Sequence, residues 1–295
     1  MFKSILLNDV DPLIAQNFLQ HSIAPRPICF ASTIDLSGNV NLSPFSFFNL
    51  FSTNPAVIVF SPSRRVRDNT TKHTLQNILE VPEVVVNIVS YDMIQQTSLA
   101  SCEYPKGIDE FIKTGFTKEP SQIIKPPRVK ESPVQMECKV LEVKTLGTEG
   151  GAGNLVIAEV LMLHINENIL NEDGNIDQKK LDLMARLGGN WYTRANASTI
   201  FEIEKPNMQL GIGVDALPEN IRNSKILTGN NLGQLANIHE PALVNPAFED
   251  EKLKNIILYY SCDPEEMERE LHFYAKELLE AGKVKEAWQV LLALN

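Results

Sequence analysis

The segment Asn41-Leu-Ser-Pro-Phe-Ser-Phe-Phe-Asn49 places hydroxyl and amide side chains among aromatic ones. After a short apolar run, Pro55-Ala-Val-Ile-Val-Phe60, comes a second polar segment, Ser61-Pro-Ser-Arg-Arg-Val-Arg-Asp-Asn-Thr-Thr-Lys-His-Thr74. The β-branched residues of the apolar run predict a buried strand between the two polar segments. Aromatic side chains suit the faces of a flat ring, while hydroxyls and amides suit its edges. The first segment therefore predicts a site for a flat, polar-edged ring.

The second segment has the composition of an anion site. Arg64, Arg65, Arg67 and Lys72 stand there beside several hydroxyls, and arginine forks and hydroxyls donate well to a phosphate. A helix predicted from about Thr70 adds unpaired backbone N–H groups at its start. FMN carries a ring and a phosphate about one strand apart, so the two segments together predict an FMN site.

The ring candidates have a plainer alternative that the residues alone leave open. Ser43, Ser46 and Asn49 suit the edge of a flavin, because hydroxyl and amide groups both donate and accept hydrogen bonds. In the alternative, they are hydrogen-bonded turn residues around Pro44. Strand alternation lets only one or two of the nearby phenylalanines face a ligand, and Phe47 is the one we select.

The phosphate candidates carry a similar alternative, since a run of charges is often just a solvated loop. We retain Arg65 and Arg67 as candidates for the phosphate. Ser61, where the apolar strand ends, is placed to reach either the phosphate or the ribityl chain of a flavin.

Further short motifs accompany these segments in a characteristic order. They are Pro25-Arg-Pro-Ile28, Ser32-Thr-Ile-Asp35 with Gly38, Lys72-His-Thr-Leu-Gln-Asn77, Val85-Val-Asn87, Glu137-Cys138, and Arg186-Leu-Gly-Gly189 followed by Trp191-Tyr192. In this order and combination the chain resembles the flavin reductase-like, FMN-binding split-barrel family over roughly residues 20–200.

The resemblance implies a homodimeric split β-barrel with one FMN per subunit, reduced by NADH, by NADPH or by a redox partner. It implies that Lys72 and Thr74 hold the FMN phosphate, although His73 replaces the aspartate of the common Lys-Asp-Thr pattern. It also implies that the segment with Gly189 and Tyr192 lies near the flavin of its own or the neighbouring subunit.

The predicted cofactor-binding residues are Asn41, Ser43, Ser46, Phe47, Asn49, Ser61, Arg65, Arg67, Lys72, Thr74, Gly189 and Tyr192. No catalytic side chain is assigned, because the flavin itself performs hydride transfer while the protein supplies orientation and electrostatics. No metal site is predicted: the chain has no C-x-x-C pair, and its cysteine spacing fits no zinc signature.

The amino-acid composition limits which partners and which cellular compartment are expected for this protein. The net charge of −10 over 295 residues argues against nucleic acid as a partner, since a phosphate backbone requires a basic surface. Four scattered cysteines without a pairing pattern suit a reducing cytoplasm, where we expect the protein to reside. No run approaches the about 18–20 apolar residues of a membrane helix, so no membrane association is predicted.

Short strands separated by turns predict an α+β fold, mainly β, with a split-barrel domain over residues 1–204. A largely helical extension is predicted over residues 205–295. Asp263-Pro-Glu-Glu266 combines an N-cap, a proline at the first helical position and acidic residues, which predicts a helix start. Two helices there, the second ending at Leu294, resemble half of a tetratricopeptide hairpin. Because one hairpin cannot hide its own apolar face, we expect it to pack on the barrel or the other subunit.

These observations predict an FMN-binding oxidoreductase that passes electrons from NADH or NADPH through FMN to a small-molecule or protein acceptor. The first alternative is a flavoredoxin-like electron carrier that does not use a nicotinamide directly. The second is a binding module that has lost flavin and recruits a partner through its C-terminal helices.

Overall fold

The computed structural model describes residues 1–203 and 209–293. It divides into two compact units, an N-terminal unit of Met1–Phe201 and a C-terminal unit of Glu202–Asn295. The predicted boundary between residues 204 and 205 lies outside the described residues. None of the helices described here combines the length and apolar character needed to cross a membrane.

Across the described residues, the strands are β1 (Arg26–Pro27), β2 (Cys29–Ile34), β3 (Val40–Phe45), β4 (Phe48–Thr53), β5 (Ala56–Phe60), β6 (Glu83–Ile88), β7 (Lys118–Glu119), β8 (Arg128–Val129), β9 (Val134–Thr145), β10 (Asn154–Ile165), β11 (Leu183–Arg186) and β12 (Tyr192–Ala195). The α-helices are α1 (Pro12–Ser22), α2 (His73–Glu80), α3 (Ile94–Leu99), α4 (Glu110–Thr114), α5 (Gln178–Leu181), α6 (Glu219–Arg222), α7 (Gly229–Ala236), α8 (Glu251–Tyr259), α9 (Pro264–Glu280) and α10 (Val284–Leu292). Single 3-10 turns cover Leu7–Asp9, Tyr91–Met93, Glu167–Ile169 and Val214–Ala216. This is the predicted α+β fold with a helical C-terminal region.

The main sheet has the strand order β3-β2-β6-β9-β10-β5-β4, and each neighbouring pair is antiparallel. Its two edge strands, β3 and β4, are joined in sequence by only Ser46 and Phe47. Strands at opposite ends of a sheet can share so short a link only if the sheet curls until its edges approach. No ladder joins β3 to β4 within the described residues, so the curled sheet stays open along this seam.

From the sequence, residues 40–49 are predicted to form one strand and its exit, and β4 departs from that prediction. The chain instead turns after Phe45 and begins a new strand at Phe48. Aromatic residues continue across the turn, so composition alone does not mark it. The alternating or apolar runs of residues 134–146 and 155–165 predict a pair of strands, and this prediction is correct: β9 and β10 pair antiparallel over nearly their whole length.

Alternation along β2 supplies both faces of the sheet with core residues. Cys29 and Ala31 belong to a core that also holds Phe60 and the α2 residues Leu75 and Ile78. Phe30, between them, belongs to a second core, which also holds Leu42, Met93, Ile94 and Phe111. The helix α2 therefore covers one face of the sheet, and α3 and α4 cover the other.

The outer edge of β3 is closed by a side chain in place of a strand. The backbone N–H of Leu42 donates to Oε2 of Glu110, at the start of α4, over 2.9 Å. Pro44 lies two residues further along the same outward side, where its missing N–H removes no sheet hydrogen bond. This edge runs alongside the candidate site.

A wholly buried carboxylate on β9, Glu137, organises the loop before β8. It accepts hydrogen bonds of 2.8 Å from the N–H groups of Gln122 and Ile123, and one of 2.7 Å from Nε2 of His164. Burial alone would raise the pKa of Glu137, but these donors outweigh it and leave the pKa below its usual value. The carboxylate thus holds the loop to the sheet.

In the C-terminal unit, Asp263 caps α9 by accepting a 3.1 Å hydrogen bond from the N–H of Glu266, with Pro264 as the first helical residue. The predicted helix start is therefore present. The helix ends at Glu280 and α10 follows from Val284. The predicted end of that second helix, at Leu294, lies outside the described residues.

The prediction that this helical pair must be covered by the barrel or another subunit was wrong. The apolar side chains of α9 and α10 are buried in the unit's own core, as in Leu271, Leu279 and Trp288. Short helices earlier in the unit cover them, and the indole of Trp288 donates to the carbonyl of Leu235 over 3.2 Å. These helices are only four to nine residues long.

Candidate functional site

A small polar cavity lies beside the outer edge of β3. Asn41 and Ser43 of β3 line it together with Lys72 and Thr74 at the start of α2 and Glu110 of α4. The remaining lining comes from His73, the first residue of α2, and from Arg65, Ala100, Ser101, Cys102, Glu103 and Tyr104. Its volume is about 20 Å³. Five of the predicted site residues, from two separate sequence segments, therefore meet at one place.

A buried hydrogen bond fixes two of these residues to each other. Nδ2 of Asn41 donates to Oγ1 of Thr74 over 2.8 Å, and both side chains are buried. A hydroxyl that accepts this bond keeps its own hydrogen to donate elsewhere. Thr74 is therefore held in place with one donor in reserve beside the cavity.

Lys72 is the cation of the cavity that has no partner. Within the described residues, its ammonium group makes neither a hydrogen bond nor an ion pair, and the side chain is half-buried. Burial, and then repulsion by the Arg65 guanidinium, lower the pKa of Lys72. A bound anion would raise the pKa of Lys72 again. Its negative charge favours the protonated ammonium, and its oxygens accept hydrogen bonds from the three N–H groups.

Arg65 reaches the cavity, but it is engaged with neighbouring groups. Its Nε lies 3.0 Å from Oε1 of Glu103, and its Nη1 donates to the Thr70 hydroxyl over 2.8 Å. Nη2 of Arg67 lies 2.6 Å from the other oxygen of Glu103, on an exposed side chain. Hydrogen bonding from Arg67 is the main factor that lowers the pKa of Glu103. The carboxylate of Glu103 is therefore paired with both arginines that were predicted to bind the phosphate.

A second, larger cavity adjoins the polar one, since Ser101 lines both. Its volume is about 350 Å³, which is within the range of small-molecule sites. Pro44 and Ser46 form one wall, and Arg186 and Tyr192 of the β11–β12 hairpin form another. The Arg186 guanidinium stacks over the Tyr192 ring at 4.5 Å. We call this the ring-sized cavity.

Arg26 braces the wall of the ring-sized cavity. Its guanidinium is buried and donates to the carbonyls of Gln20 and Ile23 at the end of α1, at 2.6 and 2.7 Å. It also donates to the carbonyl of Leu187 over 2.9 Å and to the Ser46 hydroxyl over 3.3 Å. One side chain therefore ties α1, the β11–β12 hairpin and the seam between β3 and β4 together.

The other predicted residues line neither cavity. Asn49 is exposed on β4, and its Oδ1 accepts from the N–H of Leu50. Ser61 is buried where β5 ends, with its N–H bonded to the carbonyl of Phe47. Phe47 itself is 42% exposed, and the Arg26 guanidinium lies 5.9 Å from its ring.

The adjacent glycines Gly188 and Gly189 predict a place where the backbone can approach a ligand closely. In the structure Gly188 approaches the ring of His21 in α1, since a Cβ at this position would lie 2.2 Å from the imidazole. Gly189 has a φ of +56°, and its carbonyl accepts from Nη2 of Arg186 over 2.6 Å. These glycines position the hairpin that carries Tyr192.

Sequence reasoning missed the part of the site contributed by α3, α4 and the loop between them. Thr97, Ser98 and Ser101 line the ring-sized cavity, and Ser101 continues into the polar one. The indication available was the occurrence of three hydroxyl side chains within five positions. Glu110 was missed because it follows Asp109, which caps α4 by accepting from the N–H of Phe111 over 3.0 Å. The sequence of residues 102–116 predicts a loop, in which the two adjacent carboxylates have no assigned role. No group of side chains able to hold a metal ion occurs in residues 1–203 and 209–293.

The chain is similar to known proteins over most of its N-terminal unit. The model of the flavin reductase like domain matches residues 21–182. An uncharacterised protein of Aquifex aeolicus is 37% identical over 173 residues, which are 59% of this chain and 86% of that protein. Nitrilotriacetate monooxygenase component B from Bacillus cereus is similar in structure, with a TM-score of 0.64 and 28% identity over 69% of this chain and 99% of that one.

A Shewanella frigidimarina protein, described as a flavin reductase with a split barrel domain, superposes with a TM-score of 0.58 and 26% identity. The match covers 68% of this chain and 96% of that one. The split barrel predicted from the sequence is thereby confirmed, and it agrees with the open seam between β3 and β4. The family model ends before the C-terminal unit begins.

Proposed function

The chain belongs to the flavin reductase-like domain family, and from this premise we propose that it is an FMN-binding oxidoreductase. It would take electrons from NADH or NADPH and pass them to a small-molecule or protein acceptor. The observation that carries the proposal is the unpartnered ammonium of Lys72, in a polar cavity that adjoins a ring-sized one. A ligand with an anionic end and a flat end fits this pair of cavities.

The residues present fit FMN in their chemistry. Lys72, Arg65 and the hydroxyl of Thr74 would hold the phosphate, since charged donors and hydroxyls bind phosphate oxygens strongly. Ser46 and Tyr192 would face the ring in the adjoining cavity. A phosphate is larger than the polar cavity, so binding requires the long side chains of Arg65 and Glu103 to move.

Bound FMN would supply the redox chemistry, accepting a hydride and delivering electrons. The chain's own residues would bind the phosphate, orient the ring along the β3 edge and limit water access to it. Arg26 would contribute indirectly, by holding the elements that form the cavity wall. No side chain is assigned a proton transfer.

We also propose that the protein is a homodimer in the cytoplasm. The N-terminal unit exposes large apolar residues, among them Leu50 and Phe51 of β4 and Leu161 and Leu163 of β10. None of the residues of α1 is buried. An apolar surface of this kind is usually covered by a partner, and a symmetric copy is the commonest one. The four cysteines are free thiols, the state that a reducing compartment maintains.

An absorbance spectrum of the purified full-length chain tests the proposal. We expect a flavin spectrum, either as purified or after FMN is added, that bleaches on anaerobic addition of NADH or NADPH. Bleaching by light but not by either nicotinamide would favour the flavoredoxin-like alternative. A folded protein that binds no flavin would refute the proposal. Light scattering of the same sample tests the dimer, which a flavin-loaded monomer would contradict.

A further inference from the structure

Glu110 is a buried carboxyl group that the proposed function does not yet use. It is 5% exposed, at the first position of α4, and it lines the polar cavity. Oε2 accepts the N–H of Leu42 over 2.9 Å. Among the described residues, no side chain donates to this carboxyl, and it forms no ion pair. The bond to Leu42 at the β3 edge therefore uses only part of the hydrogen-bonding capacity of the Glu110 carboxyl group.

Lys72 lines the same cavity and is also without a side-chain partner among the residues that the structure describes. Opposite charges in one small cavity normally pair, because their attraction rises as water is excluded. Here the two groups do not meet within 4.0 Å, so each remains available to a ligand. The ligand that complements both offers acceptors to Lys72 and donors to Glu110.

Three other charged or titratable side chains of the cavity, Arg65, Glu103 and His73, are not free to pair with Lys72 or Glu110 as ions. Arg65 and Glu103 are bonded to each other. Burial and nearby cations lower the pKa of His73, which favours its neutral form. Burial raises the pKa of Glu110, although the N–H groups of Leu42 and of Glu110 itself oppose that change. A hydroxyl donor from a ligand would also oppose it, because such a bond stabilises the ionised carboxyl.

A phosphate attached to a chain of hydroxyls has the required chemistry, and the ribityl phosphate of FMN is such a group. We propose that Glu110 is a flavin-binding residue whose carboxyl accepts a hydrogen bond from a ribityl hydroxyl while it caps Leu42. The inference rests on the proposed function, that the chain binds FMN. It adds a residue that recognises the ribityl chain, separate from the phosphate and ring contacts.

Fluorescence titration of the full-length protein with lumiflavin, riboflavin and FMN tests the inference. Lumiflavin lacks the ribityl chain and riboflavin lacks the phosphate. In Glu110→Gln the amide oxygen can still accept from Leu42, so the edge cap is kept. We expect riboflavin to bind about tenfold more weakly, the effect of one charge-assisted hydrogen bond, while lumiflavin binding is unchanged. Asp109→Asn is the matched control, since Asp109 caps α4 and does not line the cavity.

Three results would overturn the inference. Equal weakening of all three flavins would mean that Glu110 only supports the fold. Tighter FMN binding with unchanged riboflavin binding would mean that it acts by charge repulsion on the phosphate alone. Absence of binding of any flavin to the unmodified protein would refute the proposed function and this inference with it. If Glu110→Gln loses its native circular dichroism, Glu110→Asp keeps the charge but shortens the reach, and the same riboflavin-to-lumiflavin comparison decides.

Discussion

Asn41 donates a hydrogen bond of 2.8 Å to the hydroxyl of Thr74, and this bond joins the edge strand β3 to the first turn of α2. The two residues are 33 positions apart in the chain, with the strands β4 and β5 and the basic loop between them. Their contact brings the polar edge of the sheet to the cationic loop.

Thr74→Val keeps the shape of the side chain but removes its hydroxyl. We expect FMN to bind about tenfold more weakly, and the unfolding free energy to fall by about 1–3 kcal/mol because Asn41 loses its buried acceptor. Calorimetric titration and urea unfolding measure the two effects. Thr74→Ser, which keeps the hydroxyl, is the control. Lower stability with unchanged FMN affinity would assign Thr74 a structural role only.

Lys72→Met should separate the phosphate from the rest of the flavin. Loss of a charge-assisted contact of about 1.5–3 kcal/mol weakens FMN, whereas riboflavin, without the phosphate, should bind nearly as before. Lys144→Met removes the same charge from an exposed position on β9 and should change neither affinity. If Lys72→Met weakened both flavins equally, the phosphate assignment would be wrong.

Glu103→Gln should strengthen FMN binding. The carboxylate of Glu103 holds the guanidinium groups of Arg65 and Arg67, at 3.0 and 2.6 Å, and competes with a phosphate for them. Since the pair is partly exposed, we expect a gain of up to about fivefold, the equivalent of an ion pair of about 1 kcal/mol. Raised salt should reduce the difference between variant and parent. Weaker FMN binding in the variant would instead make Glu103 a supporting residue of the site.

Glu137 should contribute to the acid sensitivity of the fold. Its pKa in the folded chain is below the usual 4.5, so its contribution to stability is fully present above that value. The contribution is lost as the pH falls from there through the lower folded value. Urea unfolding as a function of pH should therefore show a steeper acid loss in the parent than in Glu137→Gln. Parallel pH profiles would contradict the assignment.

Two truncations should behave in opposite ways. A chain of residues 1–262 lacks α9 and α10, so Leu235, Leu253 and Ile256 lose their cover and the protein should aggregate. A chain of residues 1–201 lacks the whole C-terminal unit and should remain soluble and bind FMN. Light scattering and flavin titration compare the two. An aggregating 1–201 chain would show that the N-terminal unit needs the C-terminal one.

The sequence predicted those parts of the molecule whose patterns are local. The alternation of β9 and β10, and the capped start at Asp263, are read from neighbouring residues and were correct. The turn at Ser46 and Phe47 was missed because aromatic residues continue through it. As a result Asn49, predicted beside the ring, lies on the opposite edge strand of the sheet.

The candidate site divides in the same way. The structure brings Asn41, Ser43, Lys72 and Thr74 to one cavity, and each stands in a segment whose composition already indicated a ligand. Glu110 and the loop after α3 reach that cavity only because the chain folds back along β3. Such a return depends on long-range packing, which has no periodicity that a single sequence can display.

The cap that Glu110 places on Leu42 has a second consequence, for the solubility of the protein. An uncovered edge strand offers a row of N–H and C=O groups on which another chain can add a strand, the first step of many aggregates. On β3 a negative charge occupies one of those positions, and Pro44 removes a donor from the next. The edge can therefore stand open to a small molecule while it resists extension of the sheet by a neighbouring chain.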